Sequence, residues 1–319
     1  MYSTPNRIWI LKHLSRRARF PLVNTAANRR LYLPAMPLNI AMVQLDPQIG
    51  LVDNNIKKAK ELTKTLQPGS VDLLCFPEMA FTGYSFPDLA SITPHLETPT
   101  EGPTVDFCSA LAKRIGCFVA VGYPERLPSF SLNEVLAANS ALLISRDGTV
   151  ISNYRKTNLF EVDKPWAQPG SGFTAHDLPE PLGRLSLGIC MDLNPNPPHL
   201  WASSAGPFEL ADFSRNQNCR LLILLCNWLD SKVDPETSWD ICTINHWIAR
   251  LRPLWDAREG ETLEADQERI VVICNRVGVE RGNIFAGSSI IFRMSRSAEE
   301  PECVGVMRRN EEAVKTWAV

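Results

Sequence analysis

The sequence predicts an α/β protein built from two mixed β-sheets, each with helices on one face, packed sheet to sheet. Three observations carry that expectation. From residue 38 onward, strand-like apolar runs alternate with stretches of helical spacing. Two strand pairs, residues 138–144 with 150–154 around Asp147-Gly148 and residues 288–292 with 304–307, read as hairpins, which a purely parallel sheet lacks. No Gly/Ser linker, internal repeat or second composition regime divides the chain after residue 38, so one domain of catalytic size is the economical organisation.

The elements follow in order. Residues 39–45 form an apolar strand that turns at Asp46-Pro47-Gln48-Ile49-Gly50. Residues 53–66 carry Ile56, Ala59, Leu62 and Leu66 on one helical face with lysines opposite, and Pro68-Gly69 ends them. Residues 71–76 read as a strand running into Pro77-Glu78, 104–115 as a helix, and 118–123 as a strand. After the Asp147-Gly148 hairpin come a strand at 185–189, a helix at 209–216, a buried-type strand at 221–226, a helix at 239–257 and a strand at 270–275. Residues 194–207 are rich in proline and small residues and follow no regular period, and residues 258–269 read as a solvated acidic connection.

Composition narrows the function. With 45% apolar and 21% charged residues the chain is an ordinary globular protein. Seven of its 33 cations fall in residues 1–37 without a single Asp or Glu, which leaves 26 against 35 acids in the rest. A body that acidic is a poor polyanion binder, so nucleic acid is not an expected partner. The longest apolar run, 221–226, is far short of the ~20 residues a bilayer span needs. The basic leader 1–37 reads either as a mitochondrial presequence or as an unprocessed, disordered extension. Nine scattered cysteines without a C-x-x-C pair fit a reducing compartment, hence a cytoplasmic location or, if the leader acts as a presequence, a mitochondrial one. His95, His176, His199 and His246 have no mutual metal spacing, Gly170-Ser171-Gly172 lacks a phosphate-loop context, and nothing in the sequence calls for a metal or cofactor.

Three apolar strands run directly into a reactive polar residue: Glu78 after residues 73–77, Lys156 after 151–155, and Cys190 after 185–189. Strand ends in α/β folds are where loops build sites on a rigid frame. Taken singly each has a plainer reading, as a solvated cap, a surface lysine and a core cysteine. Together they are a chemically complete set for splitting an amide. A thiolate attacks, a carboxylate takes and returns a proton, and an ammonium with nearby backbone N–H groups steadies the oxyanion, an effect of about 3–4 kcal/mol per donor.

The surrounding words are more specific. Phe76-Pro77-Glu78-Met79-Ala80-Phe81-Thr82-Gly83-Tyr84, Asn153-Tyr154-Arg155-Lys156-Thr157 and Gly188-Ile189-Cys190-Met191-Asp192 resemble, in order and separation, the Glu, Lys and Cys signatures of the nitrilase (carbon–nitrogen hydrolase) superfamily. The resemblance spans residues 38 to 308. With Ile284-Phe285-Ala286-Gly287-Ser288-Ser289 added, the chain is most similar to the fungal protein N-terminal amidases. It implies a four-layer αββα sandwich in residues 38–309, with 310–319 as a short tail. It also implies deamidation of N-terminal Asn and Gln to Asp and Glu with release of ammonia, feeding an N-terminal degradation signal. Small-molecule ω-amidase, nitrilase or carbamoyl-amide hydrolysis by the same triad is the alternative.

On that resemblance Cys190 is the nucleophile, Glu78 the general base and acid, and Lys156 the oxyanion stabiliser, with the Met191 N–H as a second donor. Glu125 matches a family glutamate that positions substrate or lysine, although it reads equally as a partner for Arg126 or another cation. A free α-ammonium needs paired acceptors. Asp192 and Asp230 are candidates, each with a structural alternative as an N-cap or turn residue. Tyr84, Phe86, Asn227 and Trp228 are candidate pocket walls.

Overall fold

A computed structural model describes residues 37–129, 131, 134–201, 206–256, 268–298 and 300–319. Nearly all of the basic leader, most of the acidic connection 258–269 and part of the proline-rich segment 194–207 lie outside the described residues.

Fourteen strands and five α-helices order the described chain. The first sheet comprises β1 (Asn39–Gln44), β2 (Leu73–Cys75), β3 (Phe118–Leu127), β4 (Leu136–Ile144), β5 (Val150–Arg155) and β14 (Ala313–Ala318), in the order β14-β1-β2-β3-β4-β5. The second comprises β6 (Thr174–Asp177), β7 (Arg184–Ile189), β8 (Leu221–Cys226), β9 (Arg269–Asn275), β12 (Ile290–Met294) and β13 (Glu302–Val306), in the order β13-β12-β9-β8-β7-β6. A small hairpin, β10 (Val279–Glu280) with β11 (Asn283–Ile284), stands apart. Each sheet runs through one antiparallel, two parallel and two antiparallel pairings. The two sheets therefore share one pairing pattern although the sequence shows no repeat.

Helices α1 (Val52–Thr63) and α3 (Pro103–Ile115) cover the first sheet, and α4 (Glu209–Asn216) and α5 (Ile241–Arg250) cover the second. The short α2 (Leu89–Ile92) lies in the long connection after β2. Alternation within single strands explains the layering. In β1, Ile40 and Met42 enter the core between the sheets, while Ala41 and Val43 pack with Ile56 and Ala59 of α1 and Leu111 of α3. A strand covered on both faces needs apolar residues at every position, which is why β8 reads Leu-Leu-Ile-Leu-Leu-Cys and is buried throughout. The result is the expected αββα sandwich. No helix among the described residues is long and apolar enough to cross a membrane.

Several boundaries differ from the sequence reading for physical reasons. Helix α1 stops at Thr63 rather than Leu66, where Arg114 of α3 donates to the Thr63 and Leu66 carbonyls and satisfies the helix end. Strand β3 continues past Tyr123 to Leu127 across Pro124; beyond the end of β2 opposite Ala120, Glu97 takes that edge and uses only the Pro124 carbonyl and the Arg126 N–H, so the missing proline N–H costs no bond. The helix expected over 239–257 is interrupted: α5 ends at Arg250 and a 3₁₀ turn, Arg252–Leu254, built on Pro253 follows. Residues 310–319, read as a tail, instead supply β14, which pairs antiparallel with β1 along its whole length.

Candidate active site

Glu78 leaves β2 through a tight passage. Its backbone lies so near β3 that a Cβ on Gly122 would come within 2.5 Å of the Glu78 Cα. Pro77 accepts from the Gly122 N–H and Ala80 donates to the Gly122 carbonyl, which fixes the turn. Lys156 follows β5 directly, its N–H donating to the Asn139 carbonyl of β4 and its carbonyl accepting from Gly170, so the glycine turn 170–172 packs on the lysine's own backbone. Cys190 ends β7 at φ 44°, a left-handed conformation that costs a non-glycine residue energy and marks a sharp turn, and the 3₁₀ turn Cys190–Leu193 begins there.

The side chains converge in a closed compartment where Glu78, Lys156, Asn139 and Asp163 are all fully buried and Cys190 is 8% exposed. Lys156 Nζ donates to Glu78 Oε1 at 2.7 Å and to Asp163 Oδ2 at 2.6 Å. The Asn139 amide bridges the same two carboxylates, donating to Glu78 Oε1 at 2.7 Å and Asp163 Oδ1 at 2.9 Å. Glu78 Oε2 accepts the Asn227 N–H at 2.7 Å, a bond that crosses from the first sheet to the end of β8 in the second. The Cys226 thiol lies just before Asn227, and the Cys190 sulfur lies within electrostatic range of Cys226, Lys156 and Tyr84.

The two carboxyl groups and the lysine share this enclosure, and burial acts on Glu78 and Lys156 in opposite senses. Removal from water pushes the Glu78 carboxyl above its ordinary range, Lys156 pulls it back, and the Asp163 charge adds to the rise. Burial opposes the charge on Lys156, yet Asp163 and Glu78 together hold its ammonium well above the ordinary lysine value. Burial pushes the neighbouring Cys226 thiol far up, so it stays protonated.

Not every candidate faces the compartment. Asp192 is fully buried and its carboxylate is used up: Oδ2 accepts from Tyr154 Oη at 2.7 Å and the Ile189 N–H at 2.8 Å, and Oδ1 from the Thr157 and Asn158 N–H groups at 3.0 and 2.8 Å. It pins the Cys190 turn to the segment after Lys156 and has no lone pair left for an ammonium ligand. Asp230 is likewise engaged, with Arg309 at 2.9 Å and the Lys232 N–H. Glu125 takes a two-point ion pair from Arg155 and a bond from Ser140 Oγ, so its cation is Arg155 rather than Arg126, and Lys156 is positioned by Asp163 instead. Trp228 packs on His246 and Trp247 of α5, and Phe86 lies in an apolar cluster with Tyr84, Trp166 and Phe285. Asn227 is 2% exposed, and its side-chain amide has no hydrogen-bond partner among the described residues. Met191, directly after Cys190, is buried in the same turn.

Residues 39–203 match the model of the carbon–nitrogen hydrolase family. The chain belongs to that family. Among curated relatives, the hydrolase is 33% identical over 278 residues to the protein N-terminal amidase of Schizosaccharomyces pombe, covering 81% of this chain and 92% of that protein. It is 30% identical to the protein N-terminal amidase of Saccharomyces cerevisiae over 61% of this chain and 45% of that one. A crystal structure of an N-terminal amidase with an Asn-Glu-Ala peptide superposes with a TM-score of 0.74 at 22% identity, covering 89% of this chain and 98% of that one, a likeness of fold.

Two polar residues of this carbon–nitrogen hydrolase site escaped the sequence reading. Asn139 carried a signal, being half of a polar Asn-Ser pair inside the otherwise apolar run 136–144, where a polar residue needs a partner. Asp163 carried none, since the nearby Glu161 is as acidic and is spent on an exposed pair with Lys164.

Proposed function

We propose that this carbon–nitrogen hydrolase deamidates N-terminal Asn and Gln of peptides and proteins to Asp and Glu, releasing ammonia through a thioester on Cys190. The observation that carries the chemistry is the buried meeting of Glu78, Lys156 and the Cys190 turn. The choice of substrate rests on the likeness to the N-terminal amidases over most of the chain. Glu78 takes the thiol proton as sulfur attacks the side-chain amide carbon. The tetrahedral oxyanion is held by Lys156 Nζ and the Met191 N–H. Collapse breaks the C–N bond, and Glu78 returns its proton to the departing nitrogen, which leaves as ammonia. Water, deprotonated by Glu78, then attacks the thioester, and a second collapse expels the sulfur, which takes the water proton back from Glu78, and frees the carboxylic acid.

All nine cysteines are unpaired, which supports a reducing compartment, cytosolic or mitochondrial. Peptides beginning with Asn or Gln are expected to release one ammonia each and gain about one mass unit, the amide-to-acid exchange. Cys190→Ala should lower the rate by at least about a thousandfold, as loss of a nucleophile does. Acetylating the peptide N-terminus separates the readings: it abolishes turnover if the free α-amine is recognised, and leaves it intact if the enzyme is a general ω-amidase.

A further inference from the structure

Tyr84 lies six residues after Glu78, and its ring covers Lys156, with Nζ 5.6 Å from the centroid. Asp163, Glu78 and Cys190 all lie within electrostatic range of its phenol. The residue is 2% exposed, yet Oη has no hydrogen-bond partner among the described residues, whereas a buried hydroxyl ordinarily finds one.

Its backbone is held from behind. Glu280 of the β10–β11 hairpin accepts the N–H groups of Tyr84 at 3.0 Å and Ser85 at 2.6 Å. Arg276, itself fully buried, pairs with Glu280 at 2.9 Å and stacks over Phe285 at 4.0 Å, and the Phe285 ring meets Tyr84 edge-on. Gly83, at φ 77°, sits so close to Ile49 and Glu280 that any side chain there would collide with them. A rigidly placed, buried and unsatisfied donor whose ring covers Lys156 is what a developing charge requires.

We propose that Tyr84 is a further catalytic residue, whose hydroxyl donates a hydrogen bond to the carbonyl oxygen of the scissile amide as that oxygen becomes an oxyanion, alongside Lys156. Burial pushes the phenol well above its ordinary range, so it stays a donor and no proton leaves it. The inference rests on the amidase chemistry proposed above but not on which amide is cleaved. It is therefore tested on any amide the native enzyme hydrolyses. Failure of Asn- and Gln-started peptides as substrates overturns the proposed function while leaving this test intact.

Tyr84→Phe removes one unpartnered oxygen and keeps the ring over Lys156. Acylation and deacylation both pass through an oxyanion, so kcat is expected to fall about 10–100-fold whichever step limits, with KM within about twofold and the acid limb of the pH profile unmoved. A native kcat, or a loss confined to KM, overturns the assignment. Fluorotyrosine at position 84, of nearly the same shape with a stronger donor, should keep kcat at or above the native value. A fall as deep as that of Tyr84→Phe would equally overturn it.

Discussion

On the proposed mechanism, Asp163 tunes the reaction through a single charge. It shares Lys156 with Glu78, and its negative charge helps raise the Glu78 carboxyl. On the proposed mechanism Glu78 must be ionised to accept the thiol proton, so kcat/KM should fall on acidification along a limb above the ordinary carboxylate range. In Asp163→Asn that source of elevation is gone, and the limb is expected to move to lower pH. The plateau rate should drop about tenfold or more, because Lys156 loses one of the two groups that orient it. A pH–rate profile of the two proteins checks both statements, the apparent values belonging to the coupled cluster rather than to one residue. Glu78, Lys156 and Cys190 were legible because strand ends and the words around them mark them. Asp163 was not, since its role depends on how the loop after Lys156 folds back seven residues later.

At the scale of elements, helix α3 begins at Gly102-Pro103 with no capping side chain of its own. Glu97 takes that place from outside, accepting the Thr104 N–H at 2.8 Å and Thr104 Oγ1 at 2.6 Å. Burial carries its carboxyl up to about 7 against an ordinary 4.5. The folded protein therefore binds more protons than the unfolded chain between those values, and Glu97 makes stability fall as pH rises from about 4.5 to 7. Asp192, raised by burial to about 6, acts in the same direction. Glu97→Gln cannot ionise, so the stability difference between it and the native protein should shift in the variant's favour across that window, as denaturant melts at several pH values would show. The helix itself was readable over 104–115, and the structure ends it at Gly116 in a left-handed conformation. Its cap was not, because the capping group comes from five residues upstream of Gly102, beyond any local signature.

For the whole molecule, the first and last described strands close the first sheet on each other. Gln44 at the end of β1 extends that closure: its amide donates to the Arg308 and Glu311 carbonyls and accepts from Ser289, just before β12 of the second sheet. Trp317 of β14 lies against Gly305 of β13, where a Cβ would come within 2.1 Å of the indole nitrogen, so the edge strands of the two sheets also touch. Deleting residues 313–319 uncovers the β1 edge and six paired positions. The expected cost is on the order of 5 kcal/mol at roughly 1 kcal/mol per ladder bond, with a tendency to self-associate through the bare strand. Urea melts and sedimentation of the truncated chain would measure both. The two-sheet architecture was legible from apolar runs and hairpin signals, whereas the docking of the last strand on the first was not, since pairing across about 270 to 280 residues leaves no local trace.

The closed compartment is divided between the sheets: Glu78, Asn139 and Lys156 belong to one, Cys190 and Asn227 to the other. The gap between the layers is thus a dimension of the reaction. Cys75, Cys226 and Cys274 line that seam as small side chains, the Cys274 thiol touching the carbonyls of Cys75 and Val43 across it. They act as spacers, thin enough to let the proposed nucleophile on one wall face its proposed proton acceptor on the other.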